Sequence, residues 1–279
     1  MAATVSLINM KGGVGKSTLT INLAWFAAEY FAKKILVIDL DPQFNASQYL
    51  LGPKQYERHL RQQKPTVWHI LEQNTCTPAF PTPNPLNVAS AVIRRVTFPN
   101  GGWVDLIPSQ LELAFSVLNP LYKETLLAET LSAILANYDI ILIDCAPTES
   151  LLTRAAYHAS NYLLVPVKPE YLSTIGLPLI VNSMNIFQKL YPSRILQLAG
   201  IVLNATTDYS PEEVRAKEEV QQIAQQNGWY IFPTEVAYSR SYPKGAREGM
   251  PLNRTSYSRR SVVRQFRQFT HEFCQRVGL

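Results

Sequence analysis

Short apolar segments recur along the chain, and segments with helical spacing separate them. The strand-like segments cover residues 4–9, 34–39, 138–144, 162–167 and 198–204. The helix-like segments between or after them include residues 16–31 and 211–226. Because continuous apolar strands suit a parallel sheet that is buried on both faces, the pattern predicts an α/β fold. We expect a mostly parallel twisted sheet with helices on both faces.

Two stretches interrupt this alternation. Residues 77–85 contain four prolines, which predicts an irregular surface loop. The Asn100-Gly101-Gly102 stretch predicts a turn between two strands at 91–98 and 103–107. Neither an internal repeat nor a linker between domains is visible, so we expect one domain over residues 1–279.

A twenty-residue segment close to the C-terminal end has one apolar stripe. Residues 258–277 carry apolar side chains at intervals of three and four, which predicts a helix. The stripe consists of Val262, Val263, Phe266, Phe269, Phe273 and Val277. The pattern favours a helix that packs on the sheet, and an amphipathic membrane anchor is the alternative.

Basic residues are concentrated at the C-terminal end. The net charge of the chain is +5 at pH 7. Residues 238–279, the basic C-terminal segment, contain nine lysines and arginines against two acids, an excess of +7. The rest of the chain therefore sums to −2. This asymmetry indicates a polyanionic partner more strongly than the total charge does.

Cysteine usage and hydropathy favour a cytoplasmic protein. Cys76, Cys145 and Cys274 lie far apart and form no C-x-x-C pair, so a disulfide framework or a metal cluster is not expected. No apolar run reaches the length of a membrane span, and residues 1–25 lack a signal-peptide pattern.

The segment LINMKGGVGKST, residues 7–18, predicts a phosphate-binding loop between a strand and a helix. In such a loop the backbone N–H groups and the positive end of the helix hold phosphates. Lys16 would contact the β- and γ-phosphates, and the Ser17 hydroxyl would bind Mg²⁺. The segment departs from the usual pattern in two places, since Met10 replaces a glycine and Lys11 adds a second lysine. We expect the loop to bend differently at Met10.

Three aspartates follow strand-like segments. Asp39 is the last residue of the segment 34–39, and Asp41 lies two residues beyond it. Asp144 is the last residue of the segment 138–144. In α/β sheets, ligands bind at the carboxyl ends of the strands, so these acids are candidates for a magnesium site. Asp144 would act on Mg²⁺ through water. The alternative for each is a structural helix cap.

Residues 10–18 resemble the deviant Walker A motif of the ParA/MinD family of ATPases. Further similar segments are D-L-D-P-Q at 39–43, D-C-A-P at 144–147, V-P-V-K-P-E-Y at 165–171, G-I-V-L-N at 200–204 and A-R-E-G-M-P at 246–251. The resemblance thus spans nearly the whole chain, and D-L-D-P-Q with K-P-E-Y favours the DNA-partitioning ParA branch. It implies a P-loop NTPase fold, with ATP and Mg²⁺ as cofactors.

The resemblance also assigns roles to residues. Lys11 would reach the phosphates of the other subunit in a dimer, as an arginine finger does. Asp41 would position the attacking water beside Lys16, which makes Lys11, Lys16 and Asp41 the catalytic set. The metal set is Ser17, Asp39 and Asp144. The nucleotide-binding set is Lys11, Gly12, Gly13, Val14, Gly15, Lys16, Ser17 and Thr18, with Asn204 near adenine and Pro233 in the same pocket.

The family resemblance combined with the basic C-terminal segment predicts a weak Mg²⁺-dependent ATPase. It would form a homodimer around two ATP molecules, bind nonspecific double-stranded DNA, and respond to a ParB-like activator while positioning a cargo. The candidate DNA-binding residues are Arg254, Arg259, Arg260, Arg264, Arg215 and Lys217. We expect a cytoplasmic, nucleoid-associated protein, with membrane association disfavoured. The alternatives are a MinD-like membrane ATPase and a slow nucleotide-locked scaffold.

Overall fold

Eight strands form one sheet in the computed structural model, which describes residues 2–74, 86–118, 120, 123–170, 173–207 and 209–279. The predicted proline-rich loop at 77–85 lies outside the described residues. The strands are β1 (Ala3–Leu7), β2 (Lys34–Leu40), β3 (Ile93–Thr97), β4 (Trp103–Ile107), β5 (Ile140–Cys145), β6 (Tyr162–Val167), β7 (Gln197–Thr206) and β8 (Val236–Ala237).

The strand order is β3-β4-β2-β5-β1-β6-β7-β8. Every neighbouring pair is parallel except β3 and β4, which form an antiparallel hairpin at one edge. The tight turn at Asn100-Gly101-Gly102 explains this exception, because a short connection can join only antiparallel strands. Gly101 in this turn has a φ of +88°.

Helices cover both faces of the sheet. They are α1 (Lys16–Phe31), α2 (Asn45–Leu51), α3 (Pro53–Arg61), α4 (Val67–Glu72), α5 (Leu113–Ser116), α6 (Leu126–Ser132), α7 (Leu151–Ala159), α8 (Ser173–Leu190), α9 (Pro211–Asn227), α10 (Ser241–Glu248) and α11 (Arg260–Arg276). One face carries α4 to α9, and the other carries α1, α2, α3, α10 and α11.

Alternation along β2 shows how the sheet separates two apolar cores. Leu36 and Ile38 contribute to the core under α4 to α9, whereas Ile35 and Val37 contribute to the opposite core. All four side chains are fully buried. Successive side chains of a strand point to opposite faces, so a strand that is covered twice must be apolar throughout. The predicted α/β fold is confirmed.

The observed strands differ from the predicted ones at their ends. The predicted strand at 91–98 is shorter, because residues Val88–Ala91 form a 3₁₀ turn before β3 begins at Ile93. The predicted strand at 198–204 is longer, and β7 extends to Thr206 where it pairs with β8. Side-chain hydropathy does not determine where backbone pairing starts and stops.

The apolar stripe at the C-terminal end is buried in the core. Phe266 packs edge-on against Phe26 of α1 with ring centroids 4.8 Å apart. Phe269 packs in the same way against Phe232 at 5.3 Å. Thus α11 rests on the sheet, as the stripe favours, and its phenylalanines are not exposed to a membrane. Within the described part of the chain, no helix has the length and hydropathy needed to cross a bilayer.

The role of α11 in the core can be tested with Phe269→Ala. The substitution removes a fully buried ring, so it should lower the free energy of unfolding by about 3–5 kcal/mol in urea titrations. Arg264→Ala, at an exposed position of the same helix, is the control and should change stability by less than about 0.5 kcal/mol. Equal stability of both variants would contradict this packing role.

Candidate nucleotide-binding site

The segment between β1 and α1 forms a loop with two left-handed glycines. Gly13 has a φ of +77° and Gly15 a φ of +85°, and these values strongly favour glycine. Helix α1 begins directly after Gly15, and no side chain caps its N-terminus. The N–H groups of its first turn therefore face a space suited to an anion.

The Met10 position does not need a glycine. Its φ lies outside the left-handed region, in contrast to Gly13 and Gly15. The Met10 side chain is partly buried and packs against the apolar core on the α4 to α9 face. The departure from the usual loop pattern thus adds an apolar contact without straining the backbone.

Lys16 is buried beneath the loop. Its side chain folds back, and Nζ donates hydrogen bonds to the Asn9 carbonyl at 3.0 Å and to the Lys11 carbonyl at 3.3 Å. Burial lowers the pKa of Lys16, while the charges of Asp144, Cys145 and Asp41 oppose that shift. The ammonium group therefore lies next to carboxylates at the carboxyl edge of the sheet.

Asp144 is the acid whose hydrogen bonds are incomplete. It is fully buried, and among the described residues neither carboxylate oxygen has a hydrogen-bond partner. Burial raises the pKa of Asp144 well above its usual range, and the Asp39 charge raises it further. The nearby Ser17 hydroxyl and Lys16 lower it. A buried carboxylate without a partner is costly, so this position fits a hydrated Mg²⁺ ion.

Asp39 lies beside Asp144 but is fully engaged. Strands β2 and β5 pair so that these two acids are opposite each other. Asp39 accepts hydrogen bonds from the Ser47 N–H at 2.7 Å, the Ser47 hydroxyl at 2.6 Å and the Asp41 N–H at 3.2 Å. Burial raises the pKa of Asp39 to about 7, although these hydrogen bonds act to lower it. Its oxygens thus hold the first turn of α2, as a structural cap does.

Asp41 faces an open cavity of about 440 Å³, which we call the nucleotide cleft. The cleft is lined by Gly12, Gly13, Gly15, Lys16, Ser17, Thr18, Asp41, Gln43, Asn45, Gln48, Tyr49, Pro147 and Ala246. One oxygen of Asp41 accepts a hydrogen bond from the Gln43 N–H at 2.9 Å. The cleft brings the phosphate loop and one acid together, with room for a polar ligand above Lys16.

Sequence reasoning missed the wall of the cleft that α2 provides. Asn45, Gln48 and Tyr49 have the spacing that places side chains on one face of a helix, and this spacing could have indicated them. Ala246 comes from α10, about 200 residues further along the chain. The Tyr49 hydroxyl donates a hydrogen bond to the Met250 carbonyl at 3.1 Å, which ties α2 to the segment after α10.

Lys11 lies at the edge of the loop and is partly exposed. Its Nζ donates a hydrogen bond to Glu170 Oε2 at 2.8 Å. Lys168 also forms an ion pair with Glu170. Hydrogen bonds from Lys11 and then Lys168 lower the pKa of Glu170. Lys11 does not line the cleft of its own chain.

Comparison with known proteins identifies the family. A family model described as an AAA domain matches residues 2–197. The sporulation initiation inhibitor protein Soj of Bacillus subtilis is 30% identical over 249 residues, which cover 88% of this chain and 89% of Soj. The chain belongs to the ParA/MinD family of ATPases.

Other similar proteins support the same family and fold. The chromosome-partitioning ATPase Soj of Treponema pallidum is 28% identical over 279 residues, covering 100% of this chain and 99% of that protein. The structure of an ATP complex of a McdA variant from Cyanothece matches with a TM-score of 0.77 at 19% identity. That match covers 100% of this chain and 97% of McdA.

Two positions that the ParA/MinD resemblance assigns to the nucleotide lie outside the cleft lining. The Asn204 amide donates a hydrogen bond to the Val14 carbonyl at 2.7 Å. Pro233 is exposed and precedes β8. Asn204 therefore contacts the phosphate loop itself, whereas Pro233 lies at the surface outside the cleft lining.

The candidate DNA-binding residues of this ParA/MinD protein divide into two groups. Arg259, Arg260 and Arg264 are exposed at the start of α11. Arg254 forms an ion pair with Glu29 at 2.9 Å. Lys217 is mostly buried and pairs with Glu235 at 2.6 Å, so it is poorly placed to meet an external phosphate.

The other α9 candidate, Arg215, is exposed among acids. Glu212, Glu218 and Glu219 are three or four residues away on the same helix and are also exposed. Among the six candidates, those at the start of α11 are therefore better placed to meet an external phosphate than those on α9. Sequence counting of arginines cannot reveal this, because the pairing partners are distant in sequence or lie on a neighbouring turn.

The raised pKa values of Asp39 and Asp144 predict a pH-dependent stability. A carboxyl group with a raised pKa in the folded state favours folding at low pH, and this contribution is lost as the pH rises through about 7 for Asp39. Asp144→Asn removes one of the two ionisations. Relative to wild type, the variant should become progressively more stable as the pH rises from about 5 to about 8, because wild-type Asp144 must ionise while buried and the asparagine does not.

This difference can be measured by urea unfolding of nucleotide-free protein in EDTA at several pH values. A difference between variant and wild type that stays constant with pH would show that Asp144 ionises normally in the folded protein.

Proposed function

We propose that the chain is a ParA-type partitioning or positioning ATPase. It forms a dimer around two ATP molecules, binds DNA without sequence preference in that state and is stimulated by a ParB-like partner. The observation that carries the proposal is the nucleotide cleft, where the glycine loop, Lys16 and Asp41 meet above the buried Asp144. The name of the chromosome-partitioning ATPase Soj of Treponema pallidum supports partitioning as the cellular role.

The phosphates of ATP would lie against the N-terminus of α1. Gly12, Gly13 and Gly15 line the cleft, and their backbone N–H groups would bind the phosphates. Lys16 would turn from the Asn9 and Lys11 carbonyls toward the same phosphates. Ser17 and Asp144, the latter through water, would hold Mg²⁺. The bound metal ion supplies charge neutralisation for phosphoryl transfer.

Hydrolysis in this proposal depends on positioning more than on nucleophilic chemistry. Asp41 faces the cleft and would orient the attacking water. Lys11 would leave Glu170 and contact the phosphates of the partner subunit. That ion pair is partly exposed, with 29% of the Lys11 side chain and 43% of the Glu170 side chain accessible. Such a pair is worth about 0–1 kcal/mol, so exchange for a phosphate partner is inexpensive.

DNA binding would use the start of α11. Arg259, Arg260 and Arg264 are exposed there, and guanidinium groups suit phosphate oxygens. Binding of this kind is mainly electrostatic and weakens steeply with salt. The burial of Phe266, Phe269 and Phe273 counts against the MinD-like alternative, because the apolar face of α11 is already used in the core.

Three variants separate the roles of the cleft residues. Lys16→Ala should abolish nucleotide binding, because it removes the buried cation of the loop. Lys11→Ala should bind ATP as a monomer but fail to form the ATP-dependent dimer. Asp41→Ala should bind ATP and dimerise, with a turnover at least about 100-fold lower.

Calorimetry, light scattering and phosphate release measure these three properties. An Asp41→Ala protein with wild-type turnover would exclude its water-positioning role. A Lys11→Ala protein that dimerises normally with ATP would exclude the proposed contact across the dimer.

The DNA surface is tested by reversing charge at two exposed positions. Arg259→Glu with Arg260→Glu should lose ATP-dependent retention of DNA and keep basal ATPase activity. The matched control is Arg58→Glu with Lys64→Glu, which makes the same charge change at exposed positions on and after α3. Retention should be compared by filter binding across a salt series with ATP, ADP and no nucleotide. Equal loss in both double variants would indicate a net-charge effect and remove α11 from the DNA surface.

A further inference from the structure

Asn204 connects the end of β7 to the phosphate loop. Asn204 is 7% exposed, and its Nδ2 donates a 2.7 Å hydrogen bond to the carbonyl of Val14, which is also buried. The two residues are 190 positions apart in sequence. The hydrogen bond therefore joins two segments that share no local structure.

The same amide packs directly against the next loop residue. A Cβ atom added at Gly15 would lie 2.5 Å from Asn204 Nδ2, closer than two such atoms can approach. Gly15 is also the N-cap of α1, and Lys16 follows it. Asn204 thus contacts both residues of the Val14-Gly15 peptide that leads into the phosphate-binding turn.

The backbone directly after Asn204 is irregular. Ala205 has a φ of +57°, in the left-handed region that residues with a side chain seldom adopt. The register between β7 and β8 shifts between Asn204 and Thr206. Such backbone strain persists where the surrounding structure holds it, and it concentrates at functional sites.

We infer that Asn204 is a positioning residue that holds the Val14-Gly15 peptide in the shape that binds phosphate. This inference rests on the proposed nucleotide-binding function of the cleft. It differs from a role in reading adenine, because a residue that shapes the loop affects any phosphate chain, with or without a base. A primary amide has two N–H donors, and the structure uses one of them on Val14.

The test compares a ligand that has a base with one that lacks it. Asn204→Ala removes the hydrogen bond, and Asn204→Asp keeps the shape while replacing the donor with an acceptor that repels the Val14 carbonyl. Binding of Mg²⁺-ATP and of inorganic triphosphate should be measured by calorimetry or competition. In both variants, the affinity for Mg²⁺-ATP and the affinity for triphosphate should fall by the same factor, roughly 5- to 30-fold. Asn185→Ala, at an exposed position of α8, is the matched control and should bind both ligands like wild type.

Amide hydrogen exchange of residues 14–18 in the nucleotide-free protein gives a second readout. Exchange should accelerate in this segment of both Asn204 variants, while β1 and β5 keep their protection. If Asn204→Ala does not fold, the measurements on Asn204→Asp are sufficient, because the aspartate side chain has nearly the same volume as asparagine.

The outcomes are distinguishable. Loss of ATP affinity with unchanged triphosphate affinity would overturn the inference and favour adenine reading. Unchanged affinity for both ligands in a folded variant would also overturn it. Failure of the wild-type protein to bind either ligand would instead overturn the proposed function.

Discussion

Lys16 can be buried only because oxygen atoms surround its ammonium group. The Asn9 and Lys11 carbonyls accept its hydrogen bonds, and the carboxylates of Asp144 and Asp41 offset the cost of removing the charge from water. These acids can gather there because parallel strands end at the same edge of the sheet. The β2–β5 register sets Asp39 against Asp144, and β1 on the other side of β5 leads into the glycine loop. Sheet topology thus determines the charge balance of the cleft.

Asp39 and Asp144 lie at the same edge of the sheet but differ in their hydrogen bonds. Asp39 is bound by Ser47, whose hydroxyl in turn accepts a hydrogen bond from the Ser109 N–H at 2.8 Å. This chain of contacts joins the ends of β2 and β4 to the first turn of α2. Asp144 has no such partner among the described residues and is the one carboxylate there whose geometry leaves both oxygens for an ion or water. Two neighbouring acids of the same type therefore differ in their contacts: within the described part of the chain, the oxygens of Asp39 accept hydrogen bonds from the protein, and those of Asp144 do not.

Local hydropathy and backbone freedom in the sequence were sufficient to predict seven of the eight strands, the glycine loop and the packing of α11. The two-residue β8 and the ends of several strands were missed. The bounds of α1 and β6 were predicted from such local patterns, and the structure agrees. The contacts of Lys11, Lys217 and Asn204 were not predictable, since their partners are 18 to 190 residues away. The difference between the hydrogen bonds of Asp39 and Asp144 was not predictable either, although the partner of Asp39 is only eight residues away. It depends on Ser47 reaching back from α2, and no spacing rule distinguishes that serine from its neighbours.

The hydrogen bond between Tyr49 and the Met250 carbonyl has a mechanical consequence. Tyr49 belongs to the wall of the cleft, and Met250 begins the segment that leads through Leu252 to the exposed arginines of α11. Asn22 of α1 holds that segment from a second direction, by accepting the Leu252 N–H at 2.8 Å. The segment that precedes α11 is therefore held by α1 and α2, the same two helices that contribute residues to the cleft. A ligand that draws α1 and α2 closer together would therefore also restrain the segment from Met250 to Leu252, which leads into the arginines of α11.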